Sequence, residues 1–370
     1  MIRRKNGRRL VSFVWIYFLY WSGILRWVRN RIATSSGILV LTLHRVLDDY
    51  EFERSDSPPG MVIRRRTYAE LLAYLKMNFD VITLSGDPAN WRHGGRRPRI
   101  AITFDDGWTD TLEFAYPLSE SNQLPIAVFV CSGLAGLSSP FWPEGVCRAW
   151  KTALHSPEGM ATFLAICAES GLTGEWRPNF SSGRDLDRLL AAVKGLAQET
   201  RNELVQRLSR LVTRQGINGA TSRLESTMNW EDMKALSLAG VQIGSHTQSH
   251  EILTRLPLAR AQSEVGDSKI EIEARLGVPC RMIAYPNGSW SRPVRDLVQQ
   301  SGYSQAFTNA PGIWKRQTDP FAIPRVNLWE GSVTNAFGDF SAAVFEYSVF
   351  WRALTAENRR FLGQYFGSNS

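Results

Sequence analysis

RIAITFDDGWTD, residues 99–110, sets an apolar run beside two charges. The run has the composition of a buried parallel strand, yet it ends on adjacent carboxylates, Asp105 and Asp106, and then on Gly107, which lets the backbone turn sharply. In folds that alternate strands and helices, chemistry gathers beyond the carboxyl ends of the strands, where this pair stands. Successive strand side chains point to opposite sides, so one aspartate can ligate a cation while its neighbour faces a substrate. Taken alone, Asp-Asp-Gly is equally an ordinary turn.

Upstream of this stretch lie GILVLTLH (37–44), a helical pattern over 67–78 with Tyr68, Leu71, Leu72 and Leu75 on one face, and FDVITL (79–84). Downstream come PIAVFV (125–130), VQIGSH (241–246), a helix over 257–276 stopped by Gly277, RMIAYP (281–286), QAFT (305–308) and DPFAIPRVNL (319–328). Strands alternating with helices predict an α/β fold on a parallel sheet, and seven to eight strands suffice to close a barrel. Thr67 and Glu70 have the spacing of a capping box. Residues 132–229 show helical stretches, one over 199–213, and no convincing strand, so they read as a helical insertion. The resulting division is an N-terminal segment over 1–36, a barrel over 37–330 interrupted at about 132–229, and an apolar helical tail over 331–370. In that tail FSAAVFEYSVFWRAL (340–354) is suited either to packing on the barrel or to touching a membrane.

The formal net charge of +8 fits an acidic partner, and its placement decides which kind. Arg3, Arg4, Lys5, Arg8 and Arg9 precede an uncharged, aromatic-rich run at 10–25, and Arg26, Arg29 and Arg31 follow it. That order points to a membrane surface and away from nucleic acid. The run falls short of the roughly 18 to 20 residues of a spanning helix and lacks a small-residue cleavage site, so the expectation is a helix lying on the cytoplasmic face. A membrane-anchored, extracytoplasmic placement and a helix packed on the protein's own core are the alternatives. Cys131, Cys147, Cys167 and Cys280 form no CxxC pair and no framework, which suits structural cysteines in a reducing compartment.

A second strand end brings in histidine. GSHTQSH (244–250) places His246 and His250 four residues apart, and on one helical turn their imidazoles would share a face. The chain has only five histidines, so two in one strand-end segment favour a metal site over a chance surface pair. Asp106, His246 and His250 would leave open positions for water and substrate, as catalytic zinc sites do, with Asp105 as general base. Two histidines and one carboxylate also describe non-haem iron oxygenases, though those favour jelly rolls over αβ alternation.

TFDDG (103–107) and HTQSH (246–250), in this order, resemble the first two motifs of the polysaccharide deacetylases with a NodB homology domain, carbohydrate esterase family 4. The resemblance covers about 37–130 and 228–328. It implies a distorted (β/α) barrel, a divalent metal (zinc, with cobalt, manganese or nickel as alternatives), Asp105 as base, and Asp106, His246 and His250 as ligands. AYPNG (284–288) is similar to the family's third motif and brings Tyr285, Asn287 and Trp290 forward as substrate or oxyanion contacts. The motif's usual arginine is missing, and Arg325 is the candidate replacement. The family's late histidine has no counterpart, since none follows His250, so His44 at the end of GILVLTLH is the candidate general acid or substrate contact, with a hydrogen-bonded core histidine as the alternative. Trp108, Trp142 and Trp314 join Tyr285 and Trp290 as candidate sugar-stacking residues, while His93 and His155 read as incidental. The implied reaction is removal of N-acetyl groups from N-acetylhexosamine units of a cell-surface glycan or exopolysaccharide. O-deacetylation and catalytically silent glycan binding are the alternatives.

Overall fold

The computed structural model describes residues 2–34, 37–84, 97–138, 141–172, 184–214 and 223–351. Its strands are β1 (Ile38–Leu43), β2 (Arg45–Leu47), β3 (Val62–Arg64), β4 (Asp80–Val81), β5 (Arg99–Phe104), β6 (Ile126–Val130), β7 (Gln242–Ser245), β8 (Met282–Ala284), β9 (Gln305–Phe307) and β10 (Val326–Asn327). Seven of them form one parallel path, β10-β1-β5-β6-β7-β8-β9, curled into a half-barrel with helices. A parallel bridge, Phe307 to Ile323, ties β9 to the segment leading into β10. β5 pairs with β4 at its start, Asp80 opposite Arg99, and with β6 at its end, Phe104 opposite Val128. β2 and β3 form a separate parallel pair.

Alternation along these strands sorts the core. Leu39, Leu41 and Leu43 of β1 and Ile100, Ile102 and Phe104 of β5 join the large apolar cluster with the helices. The residues between them, Ile38, Val40 and Ala101, join Ala127, Phe129, Ala284 and Phe307 in a smaller cluster on the concave side. Full burial of each large aliphatic contributes about 1.5–3 kcal/mol, so a one-residue slip of either strand would be heavily penalised. The concave face is packed tightly: a Cβ on Gly244 would sit 2.7 Å from the Phe129 ring.

Two local expectations change. The helix over 67–78 is Arg65–Asn78; it starts two residues early, and Thr67 donates its hydroxyl to Glu330 at 3.0 Å instead of capping. FDVITL contributes only the two residues of β4. The helix read over 257–276 is Leu258–Leu276, ended by Gly277 at φ 73°.

The N-terminal run folds as α1 (Ile2–Trp21) and α2 (Ile24–Thr34), with Gly23 at φ 81° between them. Ile16 packs with Ala343 and Val344, and Val28 and Ile32 enter the main core, so one face does pack on the protein itself. Among the described residues no helix is long and apolar enough to cross a membrane. Within the tail, Ala342–Glu346 and Tyr347–Trp351 are helical, with Phe345, Val349 and Phe350 buried in the core; residues 352–370 lie outside the described ones.

Ser138–Ser226, together with Glu53–Pro58, forms a second compact unit. Four helices, Trp142–Ala153, Pro157–Glu169, Arg184–Gly195 and Gln198–Arg214, close around Val146, Phe163, Leu189, Leu204 and Leu208. Arg148 fastens Glu53–Pro58 to this unit by pairing with Asp56 at 2.6 Å, while its other nitrogen reaches Glu225 at 2.8 Å. Nothing in the composition of 53–58 announces that attachment.

Candidate metal centre

The strand period explains why the two aspartates part. Asp105 continues the concave row Ala101, Thr103 of β5, as His44 continues Ile38, Val40, Thr42 of β1 and His246 continues Gly244 of β7. Asp106 would point the other way, but its φ of 74° and that of Gly107, 73°, reverse the chain. Val130 closes in at this turn: a Cβ on Gly107 would lie 3.1 Å from its Cγ1.

Asp106, His246 and His250 each bring a ligand atom within 4.8 Å of the others. Asp106 Oδ1 stands 3.5 Å from His246 Nε2 and 3.4 Å from His250 Nε2, and it is buried without a hydrogen-bond partner. A buried, orphaned carboxylate oxygen between two imidazoles is costly unless a cation joins them, so these residues fit a divalent metal. His246 supports the same reading. Its Nδ1 lies 2.7 Å from the Ala284 carbonyl, an acceptor only, so that nitrogen carries the proton and Nε2 turns its lone pair to the cluster. Burial, reinforced by His250 and opposed by Asp105 and Asp106, pushes His246 down to about 4.

The histidines do not share a helical turn, contrary to the sequence expectation. They converge through an irregular loop in which Thr247 has φ 70° and His250 φ 61°. Buried Glu264 clamps that loop, accepting the N–H groups of Gln248 at 3.1 Å and Ser249 at 2.8 Å and the Ser249 hydroxyl at 2.6 Å. Ser245 Oγ accepts the Thr247 N–H, and Thr247 Oγ1 accepts that of His250.

Arg325 meets Asp105 face on. Nη1 donates to Oδ1 and Nη2 to Oδ2, both at 2.7 Å, in the bidentate geometry that suits guanidinium and carboxylate. Its remaining contacts, Nε to the Thr308 carbonyl, Nη1 to Thr103 and Nη2 to Asn309, lock the fork in place with no exposure to solvent. Burial alone would raise the Asp105 pKa. Arg325, then His246 and His44, more than reverse this and hold the carboxyl well below the usual carboxylate range. The arginine missing from AYPNG is thus matched by one at the start of β10.

His44 follows β1, half-buried, with its Nδ1 buried and unpartnered. Asn287 (φ 59°) and Trp290 are exposed on the turn after β8. Three of the aromatic expectations, Tyr285, Trp108 and Trp314, fail because the rings are buried. The Tyr285 ring is buried and its hydroxyl donates to the Phe321 carbonyl, so it cannot stack on a sugar or contact substrate. Trp108 is fully buried, and Trp314 is buried at the opposite, starting end of β1, bridged to Ile38. Trp142 opens the first helix of the second unit, beneath the Arg201 guanidinium. His155 faces the carbonyls of Lys151 and Thr152 at a helix end, and His93 lies outside the described residues.

Trp108 instead supports the ligand set. Its indole N–H donates to Asp106 Oδ2 at 3.3 Å, the Arg45 guanidinium lies 4.1 Å over its ring, and Arg45 pairs with buried Asp110 at 2.9 Å. Burial raises the Asp110 pKa, with Arg45 and the Val46 N–H working against it. Both Trp108 and Asp110 lie inside the quoted DDGWTD, where polar and aromatic residues following an aspartate pair were the available signal.

Residues 204–306 match the family model described as polysaccharide deacetylase. Over that span the chain is similar to that family. The matched span holds His246 and His250; the aspartate pair stands upstream of it. YxkH of Bacillus subtilis (strain 168), whose name carries the same family description, is 31% identical over 110 residues, which is 30% of this chain and 39% of that relative. The alignment therefore spans about two fifths of the relative's length. Two solved deacetylase structures superpose on this chain with a TM-score of 0.50. PplD of Streptococcus pyogenes, a deacetylase solved with acetate, is 13% identical, covering 80% of this chain and 94% of its own. IcaB from Ammonifex degensii is 17% identical, covering 86% and 97%. At such identities the likeness is one of fold.

Proposed function

We propose that this protein hydrolyses N-acetyl groups of N-acetylhexosamine units in a cell-surface glycan or exopolysaccharide. The observation that carries the reading is the meeting of Asp106, His246 and His250 around an orphaned buried oxygen, with Asp105 beside them in the grip of Arg325. Those three residues would hold a divalent ion, zinc being best matched to mixed nitrogen and oxygen donors, which supplies Lewis acidity and an acidified water.

The chain's own groups divide the remaining work. Asp105 is ionised and fixed in direction, so it accepts the proton of the attacking water as that oxygen bonds to the acetyl carbon. Arg325 orients Asp105 and, by the same contact, keeps it a weak base, which suits a water already acidified. His44, with a nitrogen committed to no other group, delivers a proton to the amine nitrogen as the carbon–nitrogen bond breaks and acetate leaves. The turn bearing Asn287 faces the developing oxyanion, and Trp290 offers an exposed ring to a sugar.

The test is acetate release by the full chain, loaded with zinc or separately with cobalt, from N-acetylglucosamine oligomers and from O-acetylated sugars. Release from the amide supports the reading. Release from the ester alone makes the protein an O-deacetylase, and glycan binding with no release from either makes it a binding protein.

A further inference from the structure

We infer that the outer face of α1 and α2 is a docking surface for an anionic lipid bilayer, on which the protein lies without spanning. The inner stripe of this pair, Ile16, Leu19, Leu25, Val28 and Ile32, is buried. The outer stripe is not covered: Trp15, Phe18, Trp21 and Trp27 face solvent, Trp21 at 80% and Trp27 at 59% exposure. Trp15 and Phe18 stack at 5.5 Å, giving a flat aromatic patch. Soluble surfaces seldom gather large apolar side chains in this way, and tryptophan is the residue most at home where headgroups meet acyl chains.

Charge selects the occupant. Residues 1–36 carry eight cations, and no acidic residue occurs before Asp48. Those eight equal the formal excess of the entire chain, +8, so the rest of the protein is balanced and its positive charge belongs to this element. A protein partner for the aromatic patch would need a matching acidic face, whereas an anionic leaflet supplies one everywhere. The elbow at Gly23 adds a hollow of about 540 Å³, whose lining includes Tyr20, Trp21, Arg26, Trp27, Arg29 and Glu346, so indoles and basic side chains share one opening on this face. Within that hollow Arg29 pairs with buried Glu346 at 2.5 Å and so fastens α2 to the core, which leaves Arg26 as the other cation of the lining. With the inner stripe committed to the core and the helix broken at Gly23, the pair is built to rest in the interface.

This inference stands apart from the deacetylase reading, and either can fail alone. The full chain is tested by flotation with vesicles of phosphatidylcholine alone and of phosphatidylcholine mixed with phosphatidylglycerol, with tryptophan emission followed in parallel. Binding to the mixed vesicles is expected to be about tenfold stronger or more, to weaken with added salt, and to shift emission to the blue. Replacing Trp15, Phe18, Trp21 and Trp27 together by Ser should abolish binding with the thermal transition unchanged. Arg26→Glu, which leaves the aromatic patch intact, should lower the preference for the anionic vesicles. Equal binding to both vesicle types, undiminished binding by the serine variant, or no binding at all would overturn the proposal. So would a wild-type dimer in sedimentation that the serine variant converts to monomer, since a second copy would then be what covers the patch.

Discussion

The floor and the rim of the concave face are built from the same strands and obey opposite rules. On the floor, Ile38, Val40, Ala101, Ala127 and Phe307 are apolar, buried and in ordinary extended backbone. One step up, Thr42 and Thr103 share a hydrogen bond at 2.8 Å, and one step further Asp105, His246 and Arg325 crowd charge and imidazole into an equally dry space, with half-buried His44 beside them. At the rim Asp106, Thr247, His250 and Asn287 all take positive φ, a conformation uncommon for any residue with a Cβ. Stability is gathered at the floor and spent at the rim, a division expected where strained, buried polar groups serve chemistry.

The largest effect should come from the residue proposed as general base. Asp105→Asn is expected to lower the rate of acetate release by about 10²–10⁴-fold while leaving zinc bound, measured by steady-state acetate assay and metal analysis. Arg325→Met should cost about 3–5 kcal/mol in urea denaturation, because it strands a buried carboxylate, and should raise the Asp105 pKa, since the largest influence opposing burial is then removed and only His246 and His44 remain against it. A loss below 1 kcal/mol would mean that the pair is solvated and the rim less dry than the distances imply.

Glu264→Gln keeps the shape of the clamp on the 247–250 loop but weakens its acceptors. It should reduce zinc affinity by about 10–100-fold in calorimetric titration, with the fold retained. On the floor, Gly244→Ala forces a methyl against Phe129 and should cost about 1–3 kcal/mol without altering the metal ligands themselves. An effect confined to stability for Gly244→Ala and to affinity for Glu264→Gln would sharpen the contrast; a mixed pattern would break it.

The smallest effect concerns acid. In the metal-free protein, burial lowers His246 to about 4 from an unfolded value near 6.5, so only the unfolded chain takes up a proton between these pH values. Its share of stability is therefore full above about pH 6.5 and declines as pH falls toward 4. Thermal melts across that window should show this decline, and His246→Gln should remove part of it.

Legibility in the sequence followed the same boundary. β1, β5, β6 and the helix Leu258–Leu276 were readable because their apolar periodicity and a glycine stop are local signals. The ligands were readable from two short motifs. What joined them was not. Arg325 lies 220 residues from Asp105, and only the β10–β1–β5 pairing brings them together. Tyr285 and Trp108 looked like sugar platforms because a sequence does not reveal on which side of a strand end an aromatic ring falls; Tyr285 turned into the core and Trp108 beneath Asp106. The helical reading of 246–250 failed because spacing by four can be met equally by a loop with two left-handed residues.

Zinc K-edge absorption spectroscopy on the full chain examines the ligand set most directly. One zinc per chain in a shell of two imidazole nitrogens and oxygen donors, retained in Asp105→Asn and lost when Asp106, His246 and His250 are together replaced by Ala, is the result expected. A shell containing sulfur, or zinc held equally well by that triple variant, would contradict it.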